Sequence, residues 1–466
     1  LCTWSEYNKN EFAGFCIFDK DSFLLLEQGF VNLLLQEPRK SEDMKKVLLL
    51  CMLAATTGLL AQEVRQADAL VVPRIAERQI TVGGAGADVA GFTEQSIQFA
   101  IDALDKTGGK VILTPGLFKI FAPVRLRSNV SLAGSGEETV LKRDRGVQSR
   151  YLVDADYGEL KITLEDSDGF AIGMKVQVTD DQNSGCWNVS PAYITDIADN
   201  VIYLNRGLIR DYRSDQNGLV SNASSVIDVI ETENCTISDL VIDGNGNENF
   251  LADGCNNAGI LIIKSRYITV DNVHVKDFNG EGISWQITEH VTVKNSEISG
   301  SGNIGLHPGT GSPFSLIENN DVHHNHLDGL FICWRVYEST VKGNRFHHNG
   351  RFGICTGHKD TDVLFENNYI SENGSDGVNL RGEREANAPH RNSFYRNIIE
   401  NNGKDGGGYG FSINSPAREL KLIENVFKNS SATQKAAIYV YKEGLEPELY
   451  DNQFEKHEMG DLVFEK

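Results

Sequence analysis

From Cys235 onward the chain repeats a short alternation of apolar and polar residues. The units read "TISDLVIDGNGN", "ITVDNVHVKDF", "VTVKNSEISG", "SLIENNDVHHN", "STVKGNRFHHNG", "VLFENNYISENG", "SFYRNIIENNG" and "KLIENVFKNS". Period two is the strand signature, and a helical period is missing from this half. Between these units lie glycine-led apolar runs: "GISWQI" from Gly282, "GLHPGTGS" from Gly305, "GLFICWRV" from Gly329, "GICTGHKDTD" from Gly353 and "GVNLRGERE" from Gly377. Their glycines stand 23, 24, 24 and 24 residues apart. Asn320, Asn344 and Asn368 recur at 24, and Asn397 and Asn425 follow at 29 and 28. Self-similarity at a fixed period of this size marks a solenoid. Short strands with turn-forming Asn and Gly make it an all-β parallel β-helix rather than a leucine-rich horseshoe. Its coils would stack about 4.8 Å apart, so the asparagines should form a ladder that satisfies backbone groups at a tight corner.

Alternation then assigns faces. After each repeat glycine the first and third residues (Leu330 and Ile332, Val378 and Leu380, Phe411 and Ile413) should point inward, and Trp285 with them. The second and fourth should face out: Ser284, Gln286, His307, Cys333, Cys355, Asn379 and Arg381. At the strand exits come Trp334, Arg335, His358, Lys359, Asp360 and Asp362, with Glu383 and Arg384 one repeat on. The repeat requires none of these. The "HHN" pairs His323–His324 and His347–His348 read as corner ladder residues rather than metal ligands. Asp328 and Asp376, just before repeat glycines, read as turn residues.

Upstream, residues 62–90 read as an irregular lead-in. "TEQSIQFAIDALDKTGG" predicts an amphipathic helix, with Ile97, Ile101 and Leu104 on one face, Thr93 as cap and Gly108–Gly109 as stop. The strand-like runs "KVILTPGLFKI", "VRLRSNVSLAG" and "TVLKRD" follow. The segment from Thr93 through "GGKVILTPGLFKI" to "LRSNVSLAGSG" resembles the entry of pectate-lyase-like right-handed parallel β-helix proteins. That superfamily is dominated by polysaccharide lyases, polysaccharide epimerases and glycoside hydrolases. The resemblance implies a right-handed coil capped by the helix. The expected organisation is 62–146 as cap and first coils, 147–230 as a small β insertion, and 231–466 as the repeats.

Composition narrows the partners. The net charge is −21 and the isoelectric point near 5.0, which argues against nucleic acid as a general partner. A lysine pair after Met44 leads into "VLLLCMLAATTGLLA", too short to span a bilayer comfortably and built like a secretory leader. This predicts a leader over 44–61, upstream non-native sequence over 1–43, a secreted or periplasmic location, and no membrane segment in the mature chain. Five of the eight cysteines lie beyond it; without close pairs they give neither a disulfide framework nor a zinc pattern. Cys333 and Cys355 fall two positions out of step on adjacent repeats, too far for a bridge.

An outward stripe of this kind suits a saccharide chain, an acidic one included. Elimination or C5 epimerisation of a uronic acid needs a group to neutralise the carboxylate, a base for the carbon-5 proton and an acid to complete the exchange. Arg335 and Arg381 suit the first task, His307 and His358 the second, and Lys359 either proton role. Gln286, Trp334, Asp360, Asp362, Glu383 and Arg384 are the expected substrate contacts, Trp334 by stacking on sugar rings. Calcium held by Asp360, Asp362 or Glu383 could replace an arginine. "GLHPG" shares with the Asp-Pro-His motif of mannuronan epimerases only His and Pro, in reversed order. "GICTGHKDTD" faintly resembles polygalacturonase-type hydrolases, which need two carboxyl groups. A non-catalytic carbohydrate-binding β-helix is the remaining class.

Overall fold

Each repeat folds into one coil of three short strands; Leu306–Gly309, Leu316–Glu318 and Asp321–His323 form one of them. The structure is a computed structural model and describes residues 78–466. The predicted leader at 44–61 and the segment before it lie outside the described residues. Equivalent strands of successive coils pair in parallel without slippage, as in Leu316↔Thr340 and Thr340↔Leu364. One wall is an 11-stranded parallel sheet running from Val124–Arg125 to Gly460–Phe464, and a 22-stranded sheet forms the others. Two strands of 11 residues, Glu233–Asp243 and Arg266–Lys276, continue around a corner, turning at Asp239 (φ 56°) and Asn272 (φ 54°), and join its two ladders.

The corner is made by a residue in the left-handed conformation followed by an inward amide. Asn319 (φ 56°), Gly343 (φ 66°) and Asn367 (φ 53°) turn the chain immediately before Asn320, Asn344 and Asn368. Asn344 Oδ1 accepts from both the backbone N–H and the side-chain amide of Asn320, each at 2.9 Å, while its own Nδ2 donates to the Ile317 carbonyl at 2.9 Å. These bonds serve buried groups that neither sheet can reach. A second ladder, through Asn325, Asn349, Asn373 and Asn402, stands one corner further on. His324 and His348 turn the chain ahead of it, and their rings stack at 5.1 Å. The histidine pairs are therefore corner residues, as their spacing predicts. Inside, fully buried Phe346, Phe365, Phe394 and Phe427 fill the coils. Each such burial is worth roughly 1.5–3 kcal/mol.

The helix Glu94–Leu104 forms where its pattern predicts, with Thr93 accepting from the Ser96 N–H and Ile97, Ile101 and Leu104 buried. It packs against the strands Gln79–Gly83 and Gly109–Leu113. The strand Gln79–Gly83 lies in the stretch expected to be irregular; it pairs with Gly109–Leu113 across the intervening helix, a long-range contact that local pattern cannot reveal. The insertion is a six-stranded antiparallel sheet between Gln148 and Ser221, with its own apolar core around Val176, Ile194 and Tyr212. Its end comes earlier than the expected 230, because Ile227–Ile230 already pairs with Ile260–Ile263 in the 11-stranded wall. Lys175 of the insertion reaches the carboxylate of Asp228 on that wall at 3.0 Å, both side chains fully buried. Tyr193 adds a 2.7 Å bond to the same carboxylate.

Candidate active site

The outward face of the 11-stranded wall carries the predicted stripe in register. Ser284 pairs with His307, Phe331 with Cys355, and Cys355 with Asn379. The offset also sets Cys333 beside Gly309 rather than Cys355, so no bridge joins those two thiols. Facing outward does not mean exposed here. A loop spanning 246–258 closes over the first strands, where Ser284 donates to the Gly254 carbonyl at 2.6 Å. Gly254 lies against the Glu281 carboxyl so closely that a Cβ would come within 1.8 Å of it.

His307 is consequently buried, with 4% of its surface exposed. Its Nδ1 is paired with Glu281, and its Nε2 has no hydrogen-bond partner. Burial opposes the imidazolium, but the Glu281 carboxylate and the neighbouring Cys333 outweigh it and raise the pKa to about 10. Glu281 is the residue that sequence reasoning missed. Its signal is an acid before a repeat glycine, shared with Asp328 and Asp376. Those two serve the scaffold: Asp328 holds Arg351 at 2.6 Å and Asp376 accepts from Ser412 at 2.6 Å.

Next to His307, the Phe331 ring meets the imidazole edge-on at 5.5 Å and lies beneath the Arg381 guanidinium at 4.4 Å. Arg381 donates to the Ile332 carbonyl at 2.8 Å and faces Asp360 at 3.4 Å. It crosses Gly357, where a Cβ would stand 2.7 Å from its Nε. One residue on, His358 pairs through Nδ1 with Glu383 at 3.2 Å, and Trp334 stands 4.7 Å from its ring. A carboxylate on Nδ1 fixes the tautomer and leaves Nε2 as the basic nitrogen. Trp334 is half exposed, and Arg335 and Lys359 are exposed on the stacked exit turns, where the Arg335 N–H bonds the His358 carbonyl at 2.9 Å.

Several expected contacts fall elsewhere. Gln286 has no exposed surface; its amide donates to Ser284 and packs against Gly309. Asp360 is fully buried and takes the ladder position at its corner, accepting from the Val336 and Gly357 N–H groups. Burial pushes its pKa up to about 7 against the Arg381 charge. Asp362 points to Arg391 at 2.7 Å and Glu383 to His358, so each of the three carboxylates proposed for calcium already faces its own base. The described residues gather no calcium-like group from them. Arg384 is exposed at the head of the turn Glu385–Asn387, on the loop that lengthens this repeat from 24 to 29 residues. The structure thus brings together Arg381, His358, Glu383 and Trp334, with Arg335 and Lys359 on the adjoining turns and His307 behind Phe331.

With the geometry in hand, comparison with known proteins is decisive for the fold. The family model described as "right handed beta helix region" matches residues 176–394 and 281–454, which together span more than half of the chain. The chain belongs to this family. Its solenoid is therefore a right-handed β-helix, as the entry segment implied. Among solved structures, ORF18 of Geobacillus virus E2 is 12% identical with a TM-score of 0.50, over 81% of this chain and 61% of that one. The A-module of the mannuronan C-5 epimerase AlgE4 from Azotobacter vinelandii is 17% identical, TM-score 0.47, over 80% and 93%. An exopolygalacturonase from Thermotoga maritima is 15% identical, TM-score 0.46, over 84% and 92%. At such identities the likeness is one of fold. No curated protein sequence matches this β-helix. Among its described residues, no helix is long and apolar enough to cross a membrane.

Proposed function

We propose that this β-helix is a carbohydrate-active enzyme that eliminates or C5-epimerises a uronic-acid polysaccharide. The observation that carries the reading is the Glu383–His358 pair against the Trp334 ring, with the partly exposed Arg381 guanidinium lying across Gly357, the residue before His358. Trp334 stacks on a sugar ring, and Arg381, already held by Ile332 and Asp360, turns its remaining donors to the substrate carboxylate. Neutralised in this way, the carboxylate makes the carbon-5 hydrogen acidic. His358 Nε2 takes that proton, and Lys359 delivers one in return. In elimination the carbon-4–oxygen bond breaks, the oxygen receives the proton and a double bond forms between carbons 4 and 5. In epimerisation the proton returns to carbon 5 from the opposite face. Arg335 on the preceding turn extends the cationic rim along the polymer. The leader-like run at 44–61 supports a secreted or periplasmic location, where such polymers are met.

Hydrolysis has less support. Glu383 is committed to the His358 ring and Asp360, two residues on from His358, has no exposed surface, whereas a hydrolase presents two acids to the bond. Incubation with a panel of uronic-acid polymers tests the proposal. Elimination raises the ultraviolet absorbance of unsaturated ends, and epimerisation in deuterated water labels carbon 5. His358→Ala should lower turnover by at least about a hundredfold, as expected on losing a general base. Activity without either signature, or His358→Ala at full rate, sinks the proposal. Saturable polymer binding with no turnover would assign a binding protein instead.

A further inference from the structure

Beyond the exposed face, one group of side chains has no part in the reading above. Cys186 lies on a short turn of the insertion, Cys186–Asn188, with its backbone in the left-handed conformation at φ 54°. Asp253 and Cys255 lie on the loop that closes over the β-helix wall. The two sulfurs and a carboxylate oxygen of Asp253 all lie within 4.8 Å of one another. We propose that Cys186, Asp253 and Cys255 bind a thiophilic divalent cation of the zinc class, which clasps the insertion to the β-helix.

The donor set selects that class. Two thiolates favour zinc over calcium or magnesium, which take oxygen ligands. Tetrahedral zinc holds sulfur at about 2.3 Å and carboxylate oxygen at about 2.0–2.2 Å, so its ligand atoms sit within 4 Å or so of each other. Three protein ligands leave a fourth position for water. Cys186 is exposed and Cys255 is buried, so that position has a way to solvent.

A supporting shell is already built. Asn256 donates to Asp253 Oδ2 at 2.7 Å and to the Cys186 carbonyl at 2.9 Å, and the Cys186 N–H donates to Asp253 Oδ1 at 2.6 Å. These bonds pin both chains and orient the carboxylate, the work of an outer shell around a metal. Directly below, Glu281 fills the space that Gly254 leaves, and His307 keeps its buried Nε2 unpartnered. As the cation binds, each thiol gives up its proton to water and no electron moves.

The full-length protein, reduced and stripped with a chelator, is titrated with Zn2+ and separately with Co2+. The expected result is about one equivalent bound, with the near-ultraviolet band of a thiolate–cobalt bond. Cys186→Ser and Cys255→Ser should each abolish the band. Asn256→Ala, which keeps all three ligands, should weaken binding by roughly 10–100-fold. Because Cys186 is exposed, its Ser variant is expected to stay folded, and a cooperative melt confirms it. The proposal fails if the reduced protein binds no more metal than the double Ser variant. It fails equally if protein purified without reductant carries Cys186 and Cys255 as a disulfide and no metal.

Discussion

At the scale of residues, His307 shows how burial and charge compete in one side chain. Glu281 and Cys333 overcome the cost of burial and raise its pKa from 6.5 to about 10. A base whose folded pKa is raised contributes stability that is complete below its unfolded value and fades as pH rises through its folded one. The His307–Glu281 pair should therefore stabilise fully below about pH 6.5 and lose its contribution as pH approaches 10. Thermal melts of the native protein and His307→Gln across pH 5–11 check this. The gap between them should narrow at high pH, and a constant gap would show that His307 contributes packing alone. The residue scale also separates what alternation can say from what it cannot. It places His307, Gln286 and Arg381 on one face, but Gln286 is sealed by its neighbours and His307 by Glu281 beneath the 246–258 loop.

At the scale of elements, the coil is held by its corners as well as by its strands. Strands of three residues make few ladder bonds, so the amide stacks carry much of the registry. Asn344→Ala leaves the Asn320 N–H and amide and the Ile317 carbonyl without their partner. The expected loss is on the order of 3 kcal/mol by chemical denaturation, because each buried group left unsatisfied costs about 1–3 kcal/mol. Asp362→Asn, which breaks an exposed pair with Arg391, should cost no more than about 1 kcal/mol. Equal losses from the two would mean that the ladder is incidental to stability. The first ladder was legible from the 24-residue recurrence of Asn320, Asn344 and Asn368. The second, at Asn325, Asn349 and Asn373, has the same recurrence but hides behind the more conspicuous histidines of "HHN".

At the scale of the whole molecule, the insertion and the β-helix meet through Lys175 and Asp228, an ion pair removed from water. Burial lowers the Lys175 pKa, and the Asp228 charge opposes that shift. Removing one partner leaves an uncompensated charge in the interior. Asp228→Asn should cost about 3–5 kcal/mol, whereas an apolar pair such as Lys175→Met with Asp228→Leu should recover much of it. Limited proteolysis of the insertion, read beside the global melt, distinguishes undocking from general unfolding. If Asp228→Asn leaves both readouts unchanged, the pair does not hold the two parts together.

The sequence by itself determined the solenoid, its period, the inward and outward faces, the capping helix and the existence of an insertion. These follow from local patterns that recur every two dozen residues, and stacking identical coils adds no new information. Only the tertiary structure decided which outward residues reach solvent, because the cover comes from residues far away in the chain. Glu281 reaches His307 one coil on, and Cys186 meets Asp253 and Cys255 across some seventy intervening residues. Asp360 reads as a free carboxylate in "GHKDTD" and is a corner acceptor in space. Period and alternation are local properties of a chain. Burial depends on what folds over it.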